Sequence, residues 1–139
     1  MQLDRALLDQ IIAQAHAEAP NECCGIIATQ GGRAVAVHPA RNAAASPLRY
    51  EMDGMEQYRI QSTIEDAGQE LGAIYHSHTR TPPFPSQTDI NLAFYPEALY
   101  VIVGVAGDEP DVRAFRIVEG EVSEEEVVVV SALNRASSG

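Results

Sequence analysis

The spacing of apolar residues predicts two amphipathic helices in the first half of the chain. Residues 3–18 place leucine, isoleucine and alanine at intervals of three and four, with polar residues between them, which is the period of one helical face. Pro20 and Asn21 follow and are expected to end this helix. Residues 54–70 show the same period. The inward positions of the two helices are Leu3, Leu7, Leu8, Ile11, Ile12 and Ala15, then Met55, Tyr58, Ile64 and Ala67.

Shorter apolar runs predict β-strands. Two of them, at 24–29 and 34–38, flank a glycine-rich turn and indicate a hairpin. The run at 99–106 is apolar throughout, so we expect a central strand buried on both faces. The acid-rich strand at the end of the chain is expected at a sheet edge. Further strands are predicted at 50–52 (a short edge strand), 71–75, 112–118 and 121–130.

Length and charge limit the possible functions. A chain of 139 residues is expected to form one domain, which we place at residues 1–130, with residues 131–139 as a flexible tail. The net charge of −11 argues against a nucleic-acid partner. No apolar run approaches the length of a membrane span, and the N-terminus lacks a signal pattern, so we expect a cytoplasmic protein with no membrane partner.

The two cysteines are adjacent in sequence. Neighbouring residues on a strand point to opposite faces, so a disulfide between Cys23 and Cys24 would be strained. Neither belongs to a C-x-x-C pair of the kind that builds a zinc or redox site. We interpret both as small buried residues of a strand; a nucleophilic role has no support in the sequence.

Residues 75–89 contain the most informative pattern of the chain. His76 and His78 follow the predicted strand 71–75 at a spacing that places both imidazoles on one face. Ser86 and Asp89 come after a proline-rich loop, and Asp89 offers a third ligand. Two histidines and one carboxylate, with a fourth position open for water, suit a catalytic zinc ion. The alternative is a His-X-His that lies on the surface by chance. Ser86 to Asp89 also predicts a helix start, which is compatible with the metal site because it fixes where Asp89 points, and this short helix is expected to end near Pro96.

A hydrolytic metal site also needs a base. Glu22 is the best candidate, because it begins an otherwise apolar strand segment directly after a helix stop. A capping or surface carboxylate beside Asn21 explains the same residue equally well. The residues alone therefore indicate a hydrolytic metal site but do not identify its general base.

The combined motif resembles the JAMM (MPN-plus) metallopeptidases. The likeness covers Glu22 with Gly25, the histidine pair, Ser86 and Asp89, and it extends over nearly the whole chain. It is greatest to the small members that release cysteine from a ubiquitin-like sulfur-carrier protein. The resemblance implies that His76, His78 and Asp89 bind zinc, that Glu22 acts as general base and then general acid, and that Ser86 hydrogen-bonds the oxyanion.

The resemblance also implies a fold and a substrate. The fold is of the α+β class: a curved, mostly antiparallel sheet, or half-open barrel, flanked by helices, of the MPN/JAB1 type and similar to cytidine deaminases. The substrate is the amide bond after the C-terminal Gly-Gly of a ubiquitin-like sulfur carrier, with cysteine as the leaving group. Two alternatives are an isopeptidase that removes ubiquitin-like proteins from lysines, and a non-catalytic MPN scaffold.

Overall fold

The computed structural model describes residues 1–131, which form eight strands and three helices. In chain order they are β1 (Gln2–Asp4), α1 (Arg5–Glu18), β2 (Cys24–Gln30), β3 (Arg33–Ala40), α2 (Gly54–Asp66), β4 (Glu70–His78), α3 (Gln87–Asn91), β5 (Leu99–Gly104), β6 (Asp111–Val118), β7 (Glu121–Glu125) and β8 (Val128–Val130).

All the strands belong to one mixed sheet with the order β7-β6-β5-β4-β2-β3-β1-β8. The pairs β2–β3, β2–β4, β5–β6 and β6–β7 are antiparallel, while β1–β3, β1–β8 and β4–β5 are parallel. The sheet is therefore mostly antiparallel, as expected. Strand β4 lies near its centre, between β2 and β5.

The sheet is curled into a half-open barrel. Strands β7 and β8 form its two opposite edges, yet only Glu126 and Val127 separate them in sequence. An extended chain of that length spans roughly 10 Å, whereas the edges of a flat eight-stranded sheet would lie about 34 Å apart at 4.8 Å per strand. The short connection is possible only because the sheet curves back towards itself. The α+β half-barrel expected from the sequence is confirmed.

Helices cover both faces of the sheet. Helix α1 buries Leu8, Ile11 and Ala15 against one face, together with the side chains of Ile27 and Val101. On the other face, Ile64 of α2 packs with Ile26, and Ile90 of α3 packs with Ile74. This second face also carries the histidine pair, because residues 74, 76 and 78 alternate with residues that point towards α1.

The structure corrects the start and the end of the predicted element order. Residues 2–4 form strand β1, which pairs with β3 and β8, so helix α1 begins at Arg5 rather than at residue 3. The predicted final strand 121–130 is two strands at opposite edges of the sheet. A three-residue strand has no measurable period, and an unbroken valine run does not reveal that the chain changes partner. The predicted tail at 131–139 lies outside the described residues from 132 onward.

Three smaller corrections concern the middle of the chain. Residues 50–52 form no edge strand; an isolated bridge joins Met52 to Asn42. Helix α2 ends at Asp66, because Gly68 adopts φ +72°, a left-handed conformation that stops a helix. Helix α3 ends at Asn91 rather than near Pro96. That residues 1–130 form one domain stays a proposal.

Candidate metal centre

The two histidines of the motif lie side by side at the C-terminal end of β4. His76 is 1% exposed and His78 is 4% exposed, and their Nε2 atoms are 3.2 Å apart. Their two-residue spacing on a central strand places both rings on the sheet face opposite α1. As predicted, both histidines lie at the end of a strand and point to the same face of the sheet.

Helix α3 brings Asp89 to the same point. Ser86 Oγ accepts a hydrogen bond from the backbone N–H of Asp89 at 3.0 Å, and the backbone N–H of Ser86 donates to Asp89 Oδ2 at 2.9 Å. This reciprocal capping box fixes the first turn of the helix. Asp89 Oδ2 then lies 3.2 Å from His76 Nε2 and 3.1 Å from His78 Nε2. The helix-start and ligand readings of Ser86 to Asp89 are thus compatible.

The Nε2 atoms of His76 and His78 and the Oδ2 atom of Asp89 form a nearly equilateral triangle that fits a metal ion. Its sides measure 3.1 to 3.2 Å. Tetrahedral ligands bound at about 2.0–2.1 Å lie roughly 3.3 Å from one another. His78 Nδ1 lies 2.9 Å from the carbonyl oxygen of Pro82, which can only accept, so Nδ1 carries a proton. When the ring is neutral, its Nε2 lone pair is available to a metal ion in the triangle. His76, His78 and Asp89 could therefore hold a metal ion together.

Electrostatics keep Asp89 ionised. Burial raises the pKa of its carboxyl group, but hydrogen bonds with His76 and His78 lower that pKa by more, to well below its usual range. Burial lowers the pKa of His76, which favours the neutral imidazole that a metal requires. For His78, burial lowers the pKa, while hydrogen bonds to Asp89 and Pro82 raise it above its usual value.

Glu22 lies beside this triangle and is 3% exposed. Burial raises the pKa of its carboxyl group from 4.5 to about 8; the nearby His78 lowers it and Asp89 raises it. Among residues 1–131, no hydrogen-bond partner meets Glu22 Oε1. The alternative of a surface carboxylate is therefore wrong. A buried carboxyl group that titrates near neutral pH is suited to accepting and returning a proton.

Two residues at this site were not singled out from the sequence. The ring of Tyr50 stacks on His76, with centroids 4.5 Å apart and planes inclined by 24°. Asn42 is buried and holds the loop that carries Tyr50. Both belong to residues 39–53, which show no hydrophobic period. The only sequence signal there is an asparagine within a loop of apolar and small residues.

A cavity of about 330 Å³ is lined by Tyr50, whose ring stacks on His76. Tyr50 and Ile74 form the wall nearest the histidines, and Arg49 and Glu51 also line it. Aromatic residues from the segment after α3 and from β5 complete the lining: Phe94, Tyr95 and Tyr100. Ile74 precedes His76 by two residues on the same strand face, so the two residues are about 7 Å apart along β4.

The cysteines take no part in the triangle. Cys23 and Cys24 are free and fully buried, and burial raises the pKa of their thiols to about 11 and about 12, respectively. Their neighbour Gly25 lies against the ring of Tyr75; a Cβ atom there would lie 2.3 Å from the tyrosine oxygen. Only glycine allows this close approach, which keeps β2 and β4 in register beside Glu22.

Comparison with known proteins identifies the family. Residues 4–118 match the prokaryotic homologs of the JAB domain. The chain belongs to this family. The JAMM resemblance and the expectation of a peptidase are thereby confirmed.

Two relatives of this JAB-family chain carry informative names. The CysO-cysteine peptidase of Mycobacterium tuberculosis is 40% identical over 127 residues, covering 89% of this chain and 87% of that protein. A protein of Thermus thermophilus, described as a probable TtuB-protein conjugate cleaving protease, is 40% identical over 119 residues, covering 84% of this chain and 76% of that protein.

Solved structures agree on the fold. A protein from Desulfitobacterium hafniense has a TM-score of 0.86 at 30% identity, covering 96% of this chain and 95% of that one. A JAB1/MPN domain protein from Archaeoglobus fulgidus has a TM-score of 0.63 at 21% identity, covering 94% of this chain and 99% of that one. The expected MPN/JAB1 type of fold is confirmed. Within residues 1–131, no helix is both long and apolar enough to span a membrane.

Proposed function

We propose that this JAB-family chain is a zinc-dependent hydrolase that cleaves the amide bond after the C-terminal Gly-Gly of a ubiquitin-like sulfur-carrier protein and releases cysteine. The observation that carries the proposal is the triangle of His76, His78 and Asp89 ligand atoms beside the buried Glu22, whose Oε1 meets no hydrogen-bond partner within residues 1–131. The name of the mycobacterial relative supports the choice of leaving group. A cytoplasmic location, expected from the sequence, is part of the same proposal.

Each residue of the site has a role in this proposal. His76, His78 and Asp89 would hold zinc, which when bound polarises a carbonyl group and lowers the pKa of water to about 7. Glu22 takes a proton from the attacking water and returns it to the leaving amine. The Ser86 hydroxyl accepts its capping bond through oxygen, so its proton is free to donate to the oxygen of the scissile carbonyl.

We place the carrier's C-terminal segment in the cavity beside Tyr50. Two extended glycines span about 7 Å, which equals the separation of Ile74 from His76 along β4. A Gly-Gly end with its last carbonyl at the triangle therefore directs the preceding side chain into the cavity. Its aromatic lining suits an apolar residue at that position, while the glycines leave room beside Tyr50.

The test is intact-mass spectrometry of a Gly-Gly carrier that bears a C-terminal cysteine. Incubation with the protein should remove one cysteinyl residue, and a zinc chelator should prevent the loss. An unchanged mass in the presence of bound zinc would contradict the proposed leaving group.

The isopeptidase alternative is favoured by the Thermus relative, whose name refers to conjugates of TtuB with proteins. It predicts release of a carrier from a lysine side chain, which the same assay detects with a lysine-linked adduct. The scaffold alternative predicts neither cleavage nor zinc. A purified chain that binds no zinc and leaves both adducts intact would make the scaffold the better interpretation.

A further inference from the structure

Asn42 is the most heavily hydrogen-bonded side chain near the metal centre. It is 7% exposed. Its Nδ2 donates to the carbonyl oxygens of Glu22 and Arg49, each at 3.0 Å, and more weakly to Ser46 at 3.4 Å. Its Oδ1 accepts from the backbone N–H groups of Ala44 and Glu51, each at 3.0 Å. The amide therefore uses both donors and both lone pairs.

These bonds connect two parts of the site that are distant in sequence. One joins the loop to the backbone of Glu22, and a second link runs from the Glu22 N–H to the Ser46 carbonyl at 2.9 Å. Two other hydrogen bonds of the Asn42 side chain hold Arg49 and Glu51, the residues on either side of Tyr50. Tyr50 in turn stacks on His76. A single buried side chain thus fixes both Glu22 and the ring that covers a ligand histidine.

The loop needs such support because its own conformation is unfavourable. Ala45 has φ +46°, a left-handed conformation that is unfavourable for an L-residue. No regular strand or helix spans residues 41–53, so few backbone bonds resist relaxation. Besides the bridge to Met52 and the bond from the Glu22 N–H to the Ser46 carbonyl, the Asn42 side chain supplies five of the contacts that hold the loop.

We propose that Asn42 is a positioning residue of the active site: it locks residues 42–52 onto Glu22 and so sets both the Glu22 carboxylate and the Tyr50 ring against His76. The same loop contributes Arg49, Tyr50 and Glu51 to the cavity wall. Asn42 therefore links the surface that receives the substrate to the group that moves the proton. The catalytic part of this inference rests on the proposed function.

Two substitutions distinguish the donor group of the Asn42 side chain from its acceptor group. Asn42→Ala removes all the hydrogen bonds of the side chain. Asn42→Asp keeps the acceptor for Ala44 and Glu51 but removes the donor to Glu22 and Arg49. Ser46→Ala is the matched control, because its side chain accepts only from Leu48 in the same loop while its backbone bonds to Glu22 and Asn42 remain.

The activity measurement compares kcat and zinc content in the full-length chain. Both Asn42 variants should retain zinc, because the ligands lie on β4 and α3, but should lose about 10²-fold in kcat, the usual cost of a misplaced catalytic group. Ser46→Ala should keep wild-type kcat. Wild-type kcat in Asn42→Asp, or loss of zinc in parallel with kcat in both variants, would overturn the inference.

Two further measurements do not depend on turnover. In NMR spectra of the zinc-loaded chain, the His76 ring protons should lose the ring-current shift of Tyr50 in both Asn42 variants and keep it in Ser46→Ala. An unchanged shift in the Asn42 variants would overturn the inference even if the wild type proves inactive. Should neither variant fold, hydrogen exchange of the wild type is the deciding measurement. The backbone amides of Glu22 and Glu51 should then exchange with the same opening free energy. Different opening free energies would overturn the inference that Asn42 holds both.

Discussion

At the scale of single residues, the site separates two carboxyl groups by environment. Asp89 is ionised because its hydrogen bonds with two histidines and the Ser86 N–H outweigh its burial. In the described part of the chain no such donor meets Glu22 Oε1, and burial raises the pKa of this carboxyl group to about 8. Opposite shifts in neighbouring groups assign different roles to them: Asp89 is suited to binding a cation, and Glu22 to transferring a proton.

Replacing Glu22 tests this division. Glu22→Gln keeps the shape of the side chain but cannot accept a proton, so zinc content should be unchanged while kcat falls about 10²–10⁴-fold. Zinc content measured beside turnover on the carrier adduct checks both parts. Glu65→Gln, on the exposed side of α2, is the control and should have no effect. Full turnover in Glu22→Gln would remove Glu22 from the mechanism.

Glu22 also makes the metal-free protein sensitive to pH. Its pKa is about 8 in the folded chain and 4.5 as its ordinary value, so the folded state binds the proton more tightly. The stability it contributes is present below pH 4.5 and is lost as the pH rises through 8. In chelator-treated protein, the melting temperature of Glu22→Gln should therefore exceed that of the wild type by an amount that grows between pH 5 and pH 9. A difference in melting temperature that does not change with pH would contradict the raised pKa of Glu22.

The cysteines should be unreactive in the folded protein. Both are fully buried and their thiol pKa values are about 11 and about 12, so almost no thiolate is present at pH 8. Iodoacetamide should label Cys23 and Cys24 only after unfolding, and Cys23→Ser and Cys24→Ser should retain turnover. Loss of turnover in a folded variant would point to a thiol mechanism instead.

At the scale of elements, the spacing of the motif was enough to predict where its residues lie. Two histidines at i and i+2 share a strand face by geometry alone, and Ser86 to Asp89 carries the residue types of a capping box. Glu22 was harder, because burial depends on what covers the strand. Asn42 and Tyr50 were not predicted as site residues: their loop has no period, and the contacts that tie them to the site join Asn42 to Glu22 and Tyr50 to His76, which are distant in sequence.

Asp89 belongs both to the capping box of α3 and to the proposed metal site, and two substitutions of Asp89 separate these two roles. Asp89→Asn retains an oxygen that can accept from the Ser86 N–H, so it should keep the helix and lose most zinc affinity. Asp89→Ala should lose zinc and also about 1 kcal/mol of unfolding free energy from the missing cap. Zinc titration and chemical denaturation of the metal-free variants measure the two effects. Equal stability of both variants would show that the cap contributes nothing.

At the scale of the whole molecule, the polar site is buried because three parts of the chain meet at the C-terminal end of β4. The triangle lies where β4, α3 and the loop at 42–52 come together. The alternation of apolar residues predicted the strands but not their partners. Strands β1 and β8 pair with each other and so join the two ends of the described chain.

X-ray absorption spectroscopy of the zinc-titrated wild-type chain tests whether His76, His78 and Asp89 bind the metal. We expect one zinc ion per chain, with nitrogen and oxygen ligands at about 2.0–2.1 Å and no sulfur near 2.3 Å. A sulfur ligand would place the metal on a cysteine, and an absence of stoichiometric zinc would leave the triangle of His76, His78 and Asp89 without its proposed occupant. Either result would contradict the account.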